Sequence, residues 1–139
     1  MKPEAADYLD KARSCLADAQ QIATLPLPHI AAREAYLAAY NAAEAYVFEL
    51  TGRPAKTHRG LRVTFSRLAK DGPRIDETYI TFLAKAYEYK SIADYSTGTA
   101  SRAISIEDAA SAIATAGRFI DTIALLLSSR SASLPRSGA

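Results

Sequence analysis

The sequence predicts an all-α fold, an antiparallel up-and-down helical bundle of four long helices plus one short basic helix. Alanine, the residue that most favours helix, recurs in pairs along the chain, and runs of β-branched residues typical of strands are nearly absent. Apolar residues also repeat at alternating spacings of three and four, which is the period of a helix buried on one side. With 139 residues the chain has room for one domain.

The first two predicted helices are separated by a short segment with two prolines, residues 25–28. Helix one begins at Pro3, a residue common in the first helical turn. Its apolar face comprises Tyr8, Ala12, Cys15, Ala19 and Ile22. Helix two covers about residues 29–51, and its apolar surface is wide enough for a central helix that packs on two sides. Gly52 is placed to cap this helix, and Pro54 prevents its continuation.

Two further helices are predicted in the middle of the chain. The short helix three turns Leu61, Phe65 and Leu68 inward. Its basic side chains, Arg59, Arg62, Arg67 and Lys70, are then expected to point largely outward. Helix four covers about residues 75–93, and its apolar face comprises Tyr79, Phe82, Leu83 and Ala86. A polar loop is expected at residues 96–99.

The last predicted helix opens with Ser105 and Asp108, whose spacing resembles a capping box. Its apolar seam comprises Ile106, Ala109, Ile113, Ala116, Ile120, Ile123 and Leu127. We therefore expect a helical bundle over residues 1–127. Residues 128–139 are rich in serine, proline and arginine, and we expect them to form a disordered tail.

The composition excludes several classes of protein and site. Cys15 is the only cysteine, so neither an intrachain disulfide nor a cysteine-based metal site is expected, and a reducing cytoplasm fits. The N-terminal segment has no long apolar stretch, so we expect neither export nor a membrane span. With two histidines and no glycine-rich phosphate loop or metal-binding motif, no cofactor and no metal are predicted.

Basic residues are concentrated in the middle of the chain. Residues 53–74 contain seven basic residues and one acidic residue, a net charge of +6, whereas the whole chain has a net charge of +2. Such a segment is typical of a surface that binds an anionic partner, for example RNA. The alternative is a solvated helix face with its adjoining loop, and charge alone does not decide between the two.

Two places in the sequence could support chemistry. His58 begins the basic helix, where an imidazole could contact phosphate, act in proton transfer, or simply order the loop through a backbone hydrogen bond. Lys90, Asp94 and Tyr95 end helix four, where a cation, a carboxylate and a phenol could bind phosphate or form a structural ion pair. The eight tyrosines could stack nucleobases, but at helical spacing they are more typical of a core.

Three stretches together resemble the HEPN family (higher eukaryotes and prokaryotes nucleotide-binding). Residues 35–45, AYLAAYNAAEA, are similar to the aromatic and alanine-rich second helix of the family. Residues 52–60, GRPAKTHRG, lead to Phe65 and are similar to its PKTHxG connection. Residues 89–95, YKSIADY, are similar to its R-x-x-A-D-Y segment.

The resemblance implies a helical homodimer, commonly encoded beside a minimal nucleotidyltransferase as a toxin–antitoxin pair. Many members are metal-independent ribonucleases with an R-x4-6-H motif at the dimer interface. This chain has Lys90 where the arginine would be and Tyr95 where the histidine would be. Lysine lacks the bidentate geometry of arginine, and tyrosine is a poor base at neutral pH. The chain is closest to the A-D-Y branch, for which the histidine motif cannot be assumed.

The leading hypothesis is a cytoplasmic HEPN-like protein that binds RNA or a nucleotide, as the toxin-like component of a toxin–antitoxin or defence system. One alternative is a metal-independent endoribonuclease toxin with a non-consensus site. Another is a non-catalytic module that docks a nucleotidyltransferase antitoxin. The candidate catalytic residues are Lys90, Asp94, Tyr95 and His58, and the candidate residues for binding nucleic acid or phosphate are Lys56, Arg59, Arg62 and Arg67.

Overall fold

A computed structural model describes residues 1–72, 75–95 and 103–133 of the chain. Within these ranges it has no strand and five helices: α1 (Pro3–Ile22), α2 (Pro28–Thr51), α3 (His58–Asp71), α4 (Glu77–Tyr95) and α5 (Ile106–Ser133). The predicted helical bundle is therefore confirmed. Helix α5 continues past residue 127, the predicted end of the domain. The predicted loop at residues 96–99 and the last part of the predicted tail, residues 134–139, lie outside the described residues.

Helix α2 is the centre of the bundle and packs against each of the other four helices. Its residues 41–47 are all buried, so the helix is covered on more than one side, as its wide apolar surface predicts. Most of its buried positions are alanines, namely Ala31, Ala32, Ala35, Ala38, Ala39, Ala42, Ala43 and Ala45. A short side chain lets neighbouring backbones approach closely, and tight contacts contribute dispersion energy. The fold thus depends on small residues along one helix.

The predicted helix ends are present in the structure. Gly52 ends α2 in the left-handed region, with φ 71°, and its N–H donates to the carbonyl of Phe48. Ser105 and Asp108 form a reciprocal capping box, because each side chain accepts from the other residue's backbone N–H at 3.0 Å. Helix α4 begins at Glu77 rather than at residue 75 because Asp76 caps it, its carboxylate accepting from the N–H of Thr78.

Two sequence predictions about side-chain direction were wrong. Ile106 is 67% exposed, although the seam of α5 placed it inside. A seven-residue repeat drifts by about 20° per repeat on a straight helix, so a residue at one end of the seam leaves the core. In α3, Leu68 is half-buried and packs against the core as predicted, beside the buried Ala69. Arg62, predicted to point outward, is half-buried as well.

Helix α5 contains one segment, Ile106–Arg130, that is long and apolar enough to cross a membrane by length and composition. The core helix of a soluble protein passes the same test. In this bundle α5 packs against α2, and its side chains Phe119, Ile120 and Ile123 are buried inside the protein. The segment is therefore a weak indication of a membrane span.

The close packing of α2 predicts that it cannot accept a larger side chain. Ala39 is fully buried, so in Ala39→Leu the three added carbon atoms must displace a neighbouring helix. Over-packing of this kind costs about 1–3 kcal/mol, which urea denaturation would measure as a lower midpoint. Ala114→Leu, at an exposed position of α5, is the control and should change the midpoint little. Equal midpoints for both variants would contradict this account.

Candidate functional site

The imidazole of His58, the first residue of α3, lies among three tyrosine rings. The ring centroids of Tyr40, Tyr87 and Tyr36 are 4.2, 5.3 and 5.7 Å from that of His58. Tyr36 and Tyr40 come from α2 and Tyr87 from α4, so three helices meet at this histidine. We call His58, the three tyrosines and Arg62 the His58 cluster. Aromatic contacts on several sides fix the orientation of the imidazole.

A hydrogen bond sets the proton position of His58. The Tyr36 hydroxyl lies 2.6 Å from His58 Nδ1. Burial raises the pKa of Tyr36 above its ordinary value, against a smaller lowering by the Arg62 guanidinium, so the phenol keeps its proton near neutral pH. Arg62 also hydrogen-bonds the Tyr36 hydroxyl, and because arginine can only donate, the phenol oxygen is the acceptor of that bond. The Tyr36 O–H is then free to donate, and we assign it as the donor to Nδ1. Neutral His58 then carries its own proton on Nε2.

The surroundings of His58 keep it neutral. Burial lowers the pKa of His58, and the positive charges of Lys90 and Arg62 lower it further. Near pH 7 this residue is a neutral imidazole with an N–H donor at Nε2. The loop-ordering hypothesis expected a hydrogen bond to a backbone group, whereas the observed partner is a tyrosine side chain 22 residues earlier in the chain.

Arg62 completes the His58 cluster. It lies four residues after His58, on the same face of α3, and its guanidinium carbon is 5.0 Å from the Tyr87 ring centroid. This cation–π contact, together with packing of the apolar stem, explains why Arg62 turns inward. Its Nη1 atom is buried and has no hydrogen-bond partner in the part of the chain that the structure describes. The guanidinium also donates to the Tyr36 hydroxyl oxygen, so Arg62 is already held by the cluster. Because Nη1 is shielded from solvent, an acceptor from outside reaches it only with a shift of the Arg62 side chain.

A second group of charged residues surrounds Asp94 at the end of α4. Its two carboxylate oxygens lie 2.8 Å from Lys90 Nζ and 2.6 Å from Arg33 Nε. The side chains of Lys90 and Asp94 are only 17% and 21% exposed. The predicted pairing of Lys90 with Asp94 is therefore confirmed, and Arg33 of α2 is a partner that sequence reasoning missed. The hydrogen bond from Lys90 lowers the pKa of Asp94, and the charge of Arg33 adds to this effect.

The other predicted site residues lie away from the His58 cluster. Lys56, Arg59 and Arg67 are exposed, although Arg59 directly follows His58 in the chain. Tyr95 is 75% exposed, and its nearest charged neighbour is Lys90, whose Nζ lies 5.4 Å from the ring centroid. Of the predicted site residues, the structure thus places His58 and Arg62 in one cluster. Lys90 acts on His58 through its positive charge.

Sequence reasoning also missed Glu44, a buried acid beside the cluster. Its side chain is 4% exposed, and its carboxylate accepts from the N–H of Ala55 at 3.4 Å. Burial raises the pKa of Glu44, against lowering by hydrogen bonds from Ala55 and from the Tyr40 hydroxyl. Glu44 therefore links two parts of the site. It bonds Tyr40, whose ring stacks on His58, and it also bonds the connection between α2 and α3. The residue type alone carried no signal, because acids are rarely buried.

No group of three or more histidine, cysteine, aspartate or glutamate side chains within residues 1–72, 75–95 and 103–133 could hold a metal ion. The candidate site is built from donors and aromatic rings. Donors and positive charges of this kind are complementary to an anion.

The surroundings of His58 predict how it titrates. Its pKa in the folded protein should lie below the ordinary value of about 6.5, and NMR of the imidazole would measure it, with His29→Gln used to assign the signal. Between the folded pKa and about 6.5 the unfolded chain binds the extra proton. The free energy of unfolding should therefore fall as the pH drops through this window. A folded pKa at or above 6.5 would contradict the described environment.

The raised pKa of Glu44 predicts that its contribution to stability depends on pH in the opposite direction. Its pKa is raised in the folded protein, so its contribution to stability is present below about 4.3 and is lost as the pH rises through the folded pKa. Urea denaturation of wild type and Glu44→Gln over this range should show the wild type losing stability relative to the variant. Glu44→Ala leaves the Ala55 N–H without its acceptor and should cost about 1–3 kcal/mol. A constant difference between wild type and Glu44→Gln would show that Glu44 titrates normally.

Comparisons with known proteins agree with this fold. The model of the HEPN domain family matches residues 5–126. Among solved structures, the crystal structure of TT1696 from Thermus thermophilus is similar, with a TM-score of 0.72 and 21% sequence identity over 88% of this chain and 97% of that one. No curated protein matches the chain. Since the family model spans well over half of the sequence, this protein belongs to the HEPN domain family.

Proposed function

We propose that this HEPN protein binds RNA or a nucleotide through a phosphate group held at the His58 cluster. The observation that carries the proposal is Arg62, a half-buried arginine that donates to the Tyr36 hydroxyl and whose Nη1 atom has no hydrogen-bond partner among the described residues. Its guanidinium lies beside His58, whose assigned Nε2–H is a second donor, and the charge of Lys90 adds to the local positive potential. Donors without acceptors in a positive environment favour an anion with several oxygens, which describes a phosphate.

The aromatic surroundings favour a nucleotide phosphate over a simple inorganic anion. Tyr40 and Tyr87 flank His58 and are half-buried, so part of each side chain reaches solvent. Tyrosine rings stack on nucleobases, and sequence-specific RNA recognition uses such contacts with unpaired bases. HEPN modules are also often ribonucleases or related to toxins. Together these features support an RNA strand or a nucleotide as the ligand.

Family membership supports a biological setting for this protein. HEPN domains commonly form dimers, which supports a homodimer, and small prokaryotic members are commonly encoded beside a nucleotidyltransferase. We therefore propose a cytoplasmic homodimer that acts as the toxin-like component of a toxin–antitoxin or defence system. The proposed antitoxin partner is a nucleotidyltransferase. The gene next to that of the protein would test this setting directly.

Endoribonuclease activity without metal is a second candidate, which the proton position of His58 favours in part. In such cleavage the RNA 2′-hydroxyl attacks phosphorus while the 5′-oxygen leaves and takes up a proton. His58 could donate that proton from Nε2, and Arg62 and Lys90 could stabilise the charge on phosphate. A base for the 2′-hydroxyl is harder to find. Asp94 is paired with two cations that lower its pKa, and Tyr95 is 75% exposed. Binding is therefore the better-supported function.

Loss of the Arg62 guanidinium should weaken RNA binding. A hydrogen bond to a charged group is worth about 1.5–3 kcal/mol, so we expect Arg62→Gln to reduce affinity for a fluorescent single-stranded RNA at least about ten-fold. Fluorescence anisotropy would measure it. Arg118→Gln, an equal charge change at an exposed position of α5, is the control and should alter affinity little. Equal losses in both variants would mean that net charge, and not the His58 cluster, determines binding.

A second set of variants distinguishes the alternative functions. Wild type, His58→Gln, Lys90→Ala and Asp94→Ala would be incubated with total cellular RNA in the presence of a chelator. Intact RNA in every sample, together with RNA binding by the wild type, supports the proposal. Cleavage by the wild type that is lost in the variants would establish the ribonuclease. Tight binding to a nucleotidyltransferase without RNA binding at moderate salt would establish a docking module.

A further inference from the structure

A second cationic surface lies on a different side of α3 from Arg62. A groove of about 510 Å³ separates the end of α2 and the connection at residues 52–57 from α3. We call it the α2–α3 groove. Its charged lining residues are Arg53, Lys56 and Arg67, and its hydroxyl-bearing lining residues are Thr51, Thr57 and Thr64. The connection and α3 thus turn cations toward one concave surface.

The charge in this groove is not neutralised. No acidic residue lines it, and none of its three cations is within ion-pair distance of a carboxylate among the residues described. Lys56 and Arg67, like Arg53, are exposed. A concave surface of one sign raises the local concentration of ions of the opposite sign. The groove is complementary in charge to an anion, and its three cations favour one with several charges.

The wall of the α2–α3 groove is rigid before any ligand binds. The Thr51 hydroxyl donates to the carbonyl of Val47 at 2.8 Å and accepts from the N–H of Arg53 at 3.1 Å. Glu44 accepts from the N–H of Ala55, and Thr57 Oγ1 accepts from the N–H of Gly60 at 2.9 Å. Because the backbone is already ordered, little conformational entropy is lost on binding.

The groove is connected to the proposed phosphate site. Arg67 also lines a neighbouring depression on α3, which includes Arg62 and Lys70 as well as one acid, Asp71. At the other end of the groove, Thr57 directly precedes His58. Cations therefore continue from the groove to the His58 cluster. A single phosphate fits one of these surfaces, whereas a strand can contact both.

We propose that the α2–α3 groove binds the phosphodiester backbone of the RNA whose other phosphate occupies the His58 cluster. The inference rests on the proposed function and specifies its ligand as a strand of several nucleotides. Arg53, Lys56 and Arg67 contact backbone phosphates and carry no sequence preference. The His58 cluster supplies the contacts to one particular nucleotide.

The salt dependence of binding tests this proposal. Each phosphate contact on a single strand contributes about 0.7 to the slope of log affinity against log salt concentration, so the triple variant Arg53→Gln, Lys56→Gln, Arg67→Gln should lower the slope by about 2. Its affinity for the strand at low salt should fall roughly ten-fold or more. The control is Arg13→Gln, Lys85→Gln, Arg118→Gln, which removes the same charges from α1, α4 and α5. Circular dichroism would check that both variants stay helical.

Each outcome has one meaning. A smaller slope in the groove variant alone, with unchanged binding of a labelled mononucleotide, supports a strand across both surfaces. Wild-type slope and affinity in the groove variant would overturn the inference, and the proposed function would stand. Equal loss in the control would also overturn it, because total charge would then explain binding. No binding of RNA by the wild type would overturn the proposed function itself, and binding of an acidic protein in its place would reassign the groove.

Discussion

The burial of α2 on more than one side is the constraint on which the rest of the structure depends. Its alanines let the neighbouring helices approach closely, and the side chains that are not alanine form a second stripe. That stripe comprises Arg33, Tyr36, Tyr40 and Glu44, spaced three or four residues apart. Arg33 pairs with Asp94 of α4, and Tyr36 hydrogen-bonds His58 of α3. Tyr40 stacks on the His58 ring, and Glu44 accepts from the connection before α3. One helix therefore sets the relative positions of all parts of the site.

Much of the fold could be predicted because its signals are local. Apolar spacing, the proline at the start of α1, Gly52 after α2 and the capping box before α5 each depend on a few neighbouring residues. The site depends on contacts between distant segments. Arg33 meets Asp94, and Tyr36 meets His58, only after the helices pack. From helical spacing alone, Arg62 was predicted to point outward. Spacing within one helix carries no information about the Tyr87 ring of α4, which attracts the guanidinium.

The charged residues at the end of α4 separate two tasks that a conventional HEPN motif combines. Lys90 holds Asp94 and adds positive charge near His58, whereas Tyr95 points away from the cluster. The imidazole comes from the start of α3. In this chain His58 is therefore oriented by tyrosines of α2. Lys90 is oriented by Asp94, a carboxylate on its own helix. A substitution at either end would disturb the proposed phosphate site through a different set of contacts.

The buried Nη1 of Arg62 has a consequence for the whole protein. An unsatisfied buried donor costs free energy of folding, because the nitrogen has lost water and gained no partner. The empty protein bears that cost, and an anion that accepts from Nη1 removes it. Occupancy and thermal stability are therefore coupled, since any ligand that binds only the folded state shifts the unfolding equilibrium. An apolar residue at this position would avoid that cost, so an arginine here favours the proposed binding over thermal stability.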